Sequence, residues 1–593
     1  MAESFFNNET LHVVDYFNGA LKDKNKQIII DTFNQLILGK SKIDINANRT
    51  TADKIIDLDK NISRESKEVK HSHFWMNFMR TVGIIWGLIG IFLILFVTVI
   101  NPNFNSSTFF LILGPVLIAL GALVFGLSWL VKKSYLKNRQ ELDQLQSERT
   151  KEFNVSQDQL KDLKSHIYYS LTQQIFEKTY PLISFAKYFS EADYLNWTSW
   201  LKNDVNSSTL YCLSGTLNTN PFIVLKTKST EMYDHVYTGS VTVMVRRTRY
   251  VNGRSQSYMV PKVITASTTN PAPRYWTDTK LFYKSNAAES LNFVNLSEFR
   301  NERKAEKFFK KNKQMENMDN PEFDRYFPCE RDNEQQFRTL FSPLAQEEMV
   351  KLMKVKNNYR FTKKNTINII ESPSFESIKF DVNYNSFFNY YDYEQIKNDF
   401  IAANQTYFQD IYFMFAPILT IPLYQQYPYR QPIFEKAQQR LLSFVQNETV
   451  VNTMYDSNLF AHSSSVTENI LKTKRVFANS LYEINEIIAY GYRSQSRIKI
   501  IVVSDFEAGP VSVPVTVIDY FAVQKSTNVI NSLVDKNEAD VNDTSFQAVW
   551  KRYMSSLNVS NANKKGSIVS MLAKDKNPIN ADSYKNFLRD LNN

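Results

Sequence analysis

"TVGIIWGLIGIFLILFVTVI" (81–100) and "TFFLILGPVLIALGALVFGLSWLV" (108–131) carry no charged residue, and only "NPNFNSS" (101–107) separates them. At 1.5 Å per residue the two runs reach about 30 and 36 Å, enough to cross a hydrocarbon core of about 30 Å. Buried helices of a soluble core are rarely so long and free of charge, so the pair predicts a transmembrane hairpin over 80–131. Basic residues stand at its outer ends: Arg64, Lys67, Lys70 and Arg80 before, and Lys132, Lys133, Lys137 and Arg139 after. The connector has none. Cationic flanks are retained on the cytoplasmic side, so a multi-pass protein of the cell membrane with both termini cytoplasmic is expected. Trp75, Trp86 and Trp129 fall near the inner end, where indole rings favour the headgroup zone.

Small residues suggest how the spans meet. Gly83 and Gly87 are spaced by four near the start of the first run, and Ala122 and Gly126 near the end of the second. Such pairs let helix backbones approach closely, within one hairpin or between two copies. On this reading, replacing Gly87 and Gly126 with leucine loosens the pair. Neither run holds an ionisable residue, which disfavours a transporter or selective channel. The hairpin reads as an anchor in the lipid bilayer.

The 593-residue chain as a whole is globular in composition: 43% apolar, 14% aromatic, with 14 Gly and 18 Pro. Enrichment in Asn, Lys, Ile, Phe and Tyr with little Gly is the bias of AT-rich codons and points to a bacterial source. The formal charge of +10 permits an anionic partner without demanding one. The N-terminus lacks the basic and apolar regions of a signal peptide. Two cysteines, Cys212 and Cys329, make neither a disulfide framework nor a Cys-rich metal site.

The periodicities outline an α+β chain: a two-helix transmembrane hairpin followed by a helical stalk and a large mixed α+β cytosolic body. Residues 1–79 read as a helical cytosolic segment. Residues 132–178 read as a helical stalk with a stripe at Leu160, Leu163, Ile167, Leu171 and Ile175. That stripe either oligomerises or lies on its own domain. Residues 179–372 are β-rich, with an Asn252-Gly253 turn between strand-like arms. "TTNPAPRYWTD" (268–278) reads as a loop. Residues 373–525 form a second α+β region containing a buried helix and the strands "RIKIIVVSDFE" and "PVSVPVTVIDYFAV". Residues 526–593 read as a polar helical tail.

The stretch "NPEFDRYFPCERDNEQQFRTLFSPLAQEEMVKL" carries Pro321, Glu322, Phe323, Phe327, Arg338, Leu340, Ser342 and Pro343. With two N-terminal spans before it, this resembles a family of uncharacterised bacterial membrane proteins, known also from wall-less bacteria, whose domain has no assigned function. The resemblance spans residues 75–370, with "TIPLYQQ" (420–426) and "SVTENILK" (465–472) similar in related proteins. It implies no activity, cofactor or catalytic residue.

Motifs for chemistry are missing from the sequence. There is no phosphate loop, zinc-protease pair, nucleophile elbow or dinucleotide fingerprint. Asp505 ends a strand, His71 and His73 could share a metal only on a strand or loop, and His462 precedes three serines without an orienting group. We therefore name no catalytic, cofactor or metal residue and expect no cofactor. Two basic clusters remain: Arg246, Arg247, Arg249 and Arg254 around the turn, and Arg303, Lys304, Lys307, Lys310 and Lys311 on a helix. Solvated faces, anionic lipid headgroups and nucleic acid are the readings, the last being the least favoured. The expected function is a membrane-anchored interaction or scaffold protein with protein partners or a homo-oligomeric state. The alternatives are an accessory subunit of a larger membrane machine and a tethered enzyme.

Overall fold

A computed structural model describes residues 11–96, 98, 107–167, 171–186, 189–201, 204–251, 254–312, 315–356, 358–380, 389–427, 429, 443–454, 457–478, 482–532 and 569–572. The chain is α+β, with two long apolar helices followed by a sheet-rich body. It divides into two compact units. One comprises Thr32–Ile167 and Asn383–Phe400, and the other Met1–Asp31, Tyr168–Val382 and Ile401–Asn593. These units cut across the six segments read from the sequence. Residues 1–79 and 373–525 are each divided between the two units, Asn383–Phe400 going with the helix pair, and 179–372 fall within the other.

The first unit is a helix pair, Ile45–Leu95 and Ser107–Ser165. Asp44 starts the first helix by accepting a hydrogen bond from the Ala47 N–H at 3.0 Å. In the apolar stretch one position in seven turns inward: Met76, Gly83 and Gly90 on one helix, and Gly114, Gly121 and Ser128 on the other. Towards the far end Asn48, Thr51, Ala52 and Ile55 are buried on the first helix, and Ser156, Leu160, Leu163 and Lys164 on the second. The seven-residue beat keeps one seam facing the partner. At its polar end, Asn48 donates to Ser156 Oγ at 3.0 Å and accepts from the Tyr393 N–H at 2.9 Å. Lys164, buried there, donates to Gln157 and to the Tyr390 carbonyl, and burial lowers its pKa to about 8. The expected stalk is therefore the continuation of the second apolar helix, with residues 45–79 as its partner. It ends at Ser165, so the stripe breaks. Leu160 and Leu163 serve the helix pair, whereas Leu171 and Ile175 lie on a separate helix, Leu171–Thr179, in the other unit.

The second unit is built on an antiparallel sheet ordered β1-β2-β3-β4-β8-β7-β5-β6. Its strands are β1 (Ile183–Phe185), β2 (Ser207–Leu217), β3 (Asn220–Val251), β4 (Arg254–Lys284), β5 (Asn292–Asn295), β6 (Cys329–Arg331), β7 (Arg360–Lys364) and β8 (Ile367–Glu371). A second sheet, ordered β12-β11-β10-β9, contains β9 (Ile470–Ala478), β10 (Tyr482–Asp505), β11 (Gly509–Ser532) and β12 (Val569–Leu572). The core is aromatic: Phe293, Phe323, Phe327, Phe337, Phe341 and Phe361 form one packed group. Buried tyrosines find acceptors, Tyr359 donating to the Phe413 carbonyl at 2.7 Å and Tyr412 to that of Val13 at 3.0 Å. Cys212 and Cys329 are free buried thiols, and burial pushes both above the ordinary range.

Several local expectations change. Residues 268–278 are strand, not loop. Pro261, Pro271 and Pro273 share one parity, so their missing N–H groups concern one side of β4. Beyond its contact with β8 at Lys280–Lys284, β4 has no second neighbour among the described residues, and a free edge tolerates proline. The arms around the turn pair up to Val251 opposite Arg254, while Asn252 and Gly253 lie outside the described residues. Of the tail read as helical, 526–532 and 569–572 are strand, and the rest lies outside the described residues.

The segment that carries the resemblance is three short helices around β6. Asn320 caps Pro321–Tyr326 by accepting from the Glu322 N–H at 3.0 Å. Within that helix Asp324 is 4% exposed and accepts from the Met318 N–H at 2.9 Å. Burial pushes its carboxyl from 3.8 up to about 6, against the pull of Arg331 and Arg338. The folded chain thus holds this proton more tightly than the unfolded chain. Its contribution to stability falls as pH rises from about 4 to about 6 and is level above. Asp324→Asn should raise stability at pH 7 by about 1–2 kcal/mol, allowing for screening, with no gain at pH 4. Thermal melts of the two chains at both pH values check this, and an equal difference at the two would refute it.

Candidate functional site

The seam of the helix pair is made by four glycines. A Cβ on Gly83 would sit 2.8 Å from the Gly121 carbonyl oxygen, and one on Gly121 2.7 Å from that of Gly83. A Cβ on Gly90 would meet the Gly114 oxygen at 2.6 Å, and one on Gly114 would meet Ile94 Cγ1 at 2.6 Å. Of the four residues read from the sequence, Gly83 lies in this seam. Gly87 and Gly126 have open space where a Cβ would point, and Ala122 is exposed. The spacing that matters is seven rather than four, because the helices run together over many turns. Outside the seam the apolar side chains are uncovered: 11% of the most apolar window of the first helix is buried, and 17% of the second. A core helix of a soluble domain is mostly buried, so these two are long and apolar enough to cross a membrane and lack the cover a soluble core would supply.

The first basic cluster sits at the end of a β-arm. β3 pairs with β2 only as far as Ser229, and β4 with β8 only from Lys280 onward. The rest of this hairpin runs on for 22 residues of β3, about 70 Å at the usual rise. The β10–β11 hairpin packs across it. Ile264 and Ala266 meet Val511, Val513, Val515 and Val517, and Gly239 admits the Pro514 backbone where any Cβ would clash. Polar braces tie the two hairpins together. Lys262 Nζ lies 2.9 Å from Asp505 and 2.8 Å from Glu507, and Arg247 forks onto Glu507 with two 3.0 Å contacts. These bonds, Arg247 first and then Lys262, hold the Glu507 carboxyl down to about 2. Asn270 donates to the Ile518 carbonyl at 2.6 Å. Asp505, an ordinary strand end, also accepts from the Glu507 and Ala508 N–H groups that turn the chain.

Arg246, Arg249 and Arg254 stand differently. All three are exposed, and none has an ion pair among the described residues, Arg249 resting instead over the Tyr258 ring. Beside them Tyr250 is 81% exposed and Phe506, in the β10–β11 turn, is fully exposed. The second basic cluster lies on Glu302–Lys311. Asn301 caps this helix, Ala305 and Phe309 anchor it, and Arg303, Lys304, Lys307, Lys310 and Lys311 face outward. Two separate cationic surfaces result.

A cavity of about 290 Å³ lies beside β2, lined by Trp200, Leu225, Phe282, Phe444, Glu448 and Lys472. Glu448, on the helix Phe444–Met454, is fully buried. It accepts from the Thr209 N–H at 2.7 Å and lies 2.7 Å from Lys472 Nζ. Burial raises its pKa against the pull of that ammonium. Neither residue stood out in the sequence, because nothing local brings position 448 to position 472. Elsewhere His12, Asp15 and Glu348 converge within ligand distance of one another. Lys351 already answers these acids, at 2.9 Å from Glu348 and 3.3 Å from Asp15. His71 and His73 lie on a helix, where residues two apart point to different faces and cannot share an ion. His462 Nδ1 is 2.8 Å from Ser464 Oγ, with no orienting acid among the described residues.

Comparison with known proteins returns no match: no family model fits the chain, and neither does any curated protein or solved structure.

Proposed function

We propose that this chain is a membrane-anchored interaction protein, with the helix pair as its anchor and the sheet-rich unit as a scaffold in the cytoplasm. One observation carries the reading. The helices pair through Gly83, Gly90, Gly114 and Gly121 yet leave Ile84, Leu88, Phe92, Ile112, Leu123 and Leu130 exposed. In water that surface is costly, whereas in lipid it costs nothing. The basic flanks and uncharged connector favour a cell-membrane hairpin with both termini inside. Membership of the uncharacterised bacterial family is part of the same proposal.

Alkaline carbonate washing of membranes should leave the chain in the pellet, and protease added to intact cells should spare the body. Release by carbonate would remove the anchor, and loss of the body to external protease would reverse the orientation. A tethered enzyme is the second reading, favoured by the cavity at Glu448, and an accessory subunit the third. Mass spectrometry after mild-detergent purification separates them: partners in fixed ratio mean a scaffold or subunit, and a lone chain favours the enzyme.

A further inference from the structure

We propose that the tip of the β-arm is a second membrane contact, which sets Tyr250 and Phe506 into the interface of an anionic bilayer and holds them there with Arg246, Arg249 and Arg254. This goes beyond the anchor, since crossing a bilayer does not require anionic headgroups and docking the tip does.

Two aromatic side chains at the far end of a braced arm have no role in the fold. Phe506 makes no core contact, and Tyr250 precedes the turn of the longer hairpin. Aromatic rings flanked by arginine match the boundary between headgroups and acyl chains, where the ring buries apolar area and the guanidinium meets phosphate. The uncompensated charge at the tip is all positive, with Arg246 on one face of the hairpin and Arg249 and Arg254 on the other. The acids there, Asp505 and Glu507, are taken by Lys262 and Arg247, which leaves the other three arginines to face an outside partner. Bracing also presents these groups in a fixed arrangement, so little ordering cost opposes docking.

Lipid fits this surface better than nucleic acid. Met244 and Met259 lie next to the arginines along the ladder, Met259 directly opposite Arg246, and both are more than half exposed. A bilayer covers such flexible apolar chains. Nucleic acid would instead need a groove of cations with stacked rings, and the two rings here sit on different hairpins.

The buried state of Cys212 and Cys329 makes the test direct, because an added surface cysteine labels alone. Full-length Phe506→Cys and Tyr250→Cys chains would each carry an environment-sensitive nitrobenzoxadiazole dye. They would be reconstituted into phosphatidylcholine vesicles with and without phosphatidylglycerol. Carbonate-resistant incorporation into neutral vesicles reports the anchor, and the dye reports the tip, so the two readings fail separately. The dye should brighten and shift to the blue only with anionic lipid, while the same dye on exposed Val466→Cys stays constant. Each of Arg246→Gln, Arg249→Gln and Arg254→Gln should weaken docking about fivefold, and the three together about a hundredfold. Lysine at the same three positions should retain the response. Equal emission in neutral and anionic vesicles would overturn the proposal, as would a triple glutamine variant that behaves as the parent. A response evoked by RNA over neutral vesicles would do the same and assign the tip to nucleic acid.

Discussion

Gly121→Leu and Gly90→Leu should each force the two long helices apart. At both positions the added Cβ meets backbone at 2.6–2.7 Å, and backbone cannot swing aside as a side chain can. The cost belongs at the upper end of overpacking, about 3 kcal/mol per substitution. Gly87→Leu and Gly126→Leu should cost little, since both point into open space. This reverses the order that spacing by four suggests. Met76→Cys with Ser128→Cys, one heptad along the same seam, supplies the measurement. Oxidative disulfide formation between them should be fast in the parent and after Gly87→Leu, and at least about tenfold slower after Gly121→Leu. Equal rates across the set would show that the glycines do not govern the approach.

The second large effect concerns Glu448 and Lys472. Breaking a buried pair strands the remaining charge, so Glu448→Ala or Lys472→Met should destabilise the sheet-rich unit by about 3–5 kcal/mol. Replacing both together, Glu448→Leu with Lys472→Met, should recover most of this loss, because two apolar groups need no partner. The pH dependence identifies which charge is at fault. Burial holds the Glu448 pKa above its ordinary 4.5, so the folded state binds the proton more tightly and stability falls as pH rises through that window. Lys472→Met removes the ammonium that counters burial and moves the folded pKa further up. Its deficit should therefore be greater at pH 8 than at pH 5. Melting curves of the single and double variants at both pH values measure it. A deficit independent of pH, or a double variant no better than the singles, would mean that the pair carries no special weight.

How far these sites could be read in advance depended on how local they are. The two apolar runs stood out because every residue in them reports the same solvent. The basic clusters were legible as charge. What could not be read was that Arg247 is occupied by Glu507, 260 residues away, whereas its neighbours Arg246 and Arg249 are not. The seam was missed for a different reason. Most of its members, among them Asn48, Gly83, Gly114, Ser128 and Ser156, are small or polar, so a search for apolar heptads passes over them. A search for small or amide residues at intervals of seven would have found the register. Reading 268–278 as a loop relied on proline as a breaker, and failed because an unpaired edge removes the penalty.

By itself, the sequence determined the elements whose signal lies within a few turns of chain: two apolar helices, their uncharged connector, and the alternation that makes an α+β class. Only the tertiary structure decided which glycines meet, which arginines are left over, and that Glu448 faces Lys472. Periodicity follows from neighbours along the backbone. Pairing depends on register across long loops, where a shift of one residue in a strand turns every side chain to the opposite face.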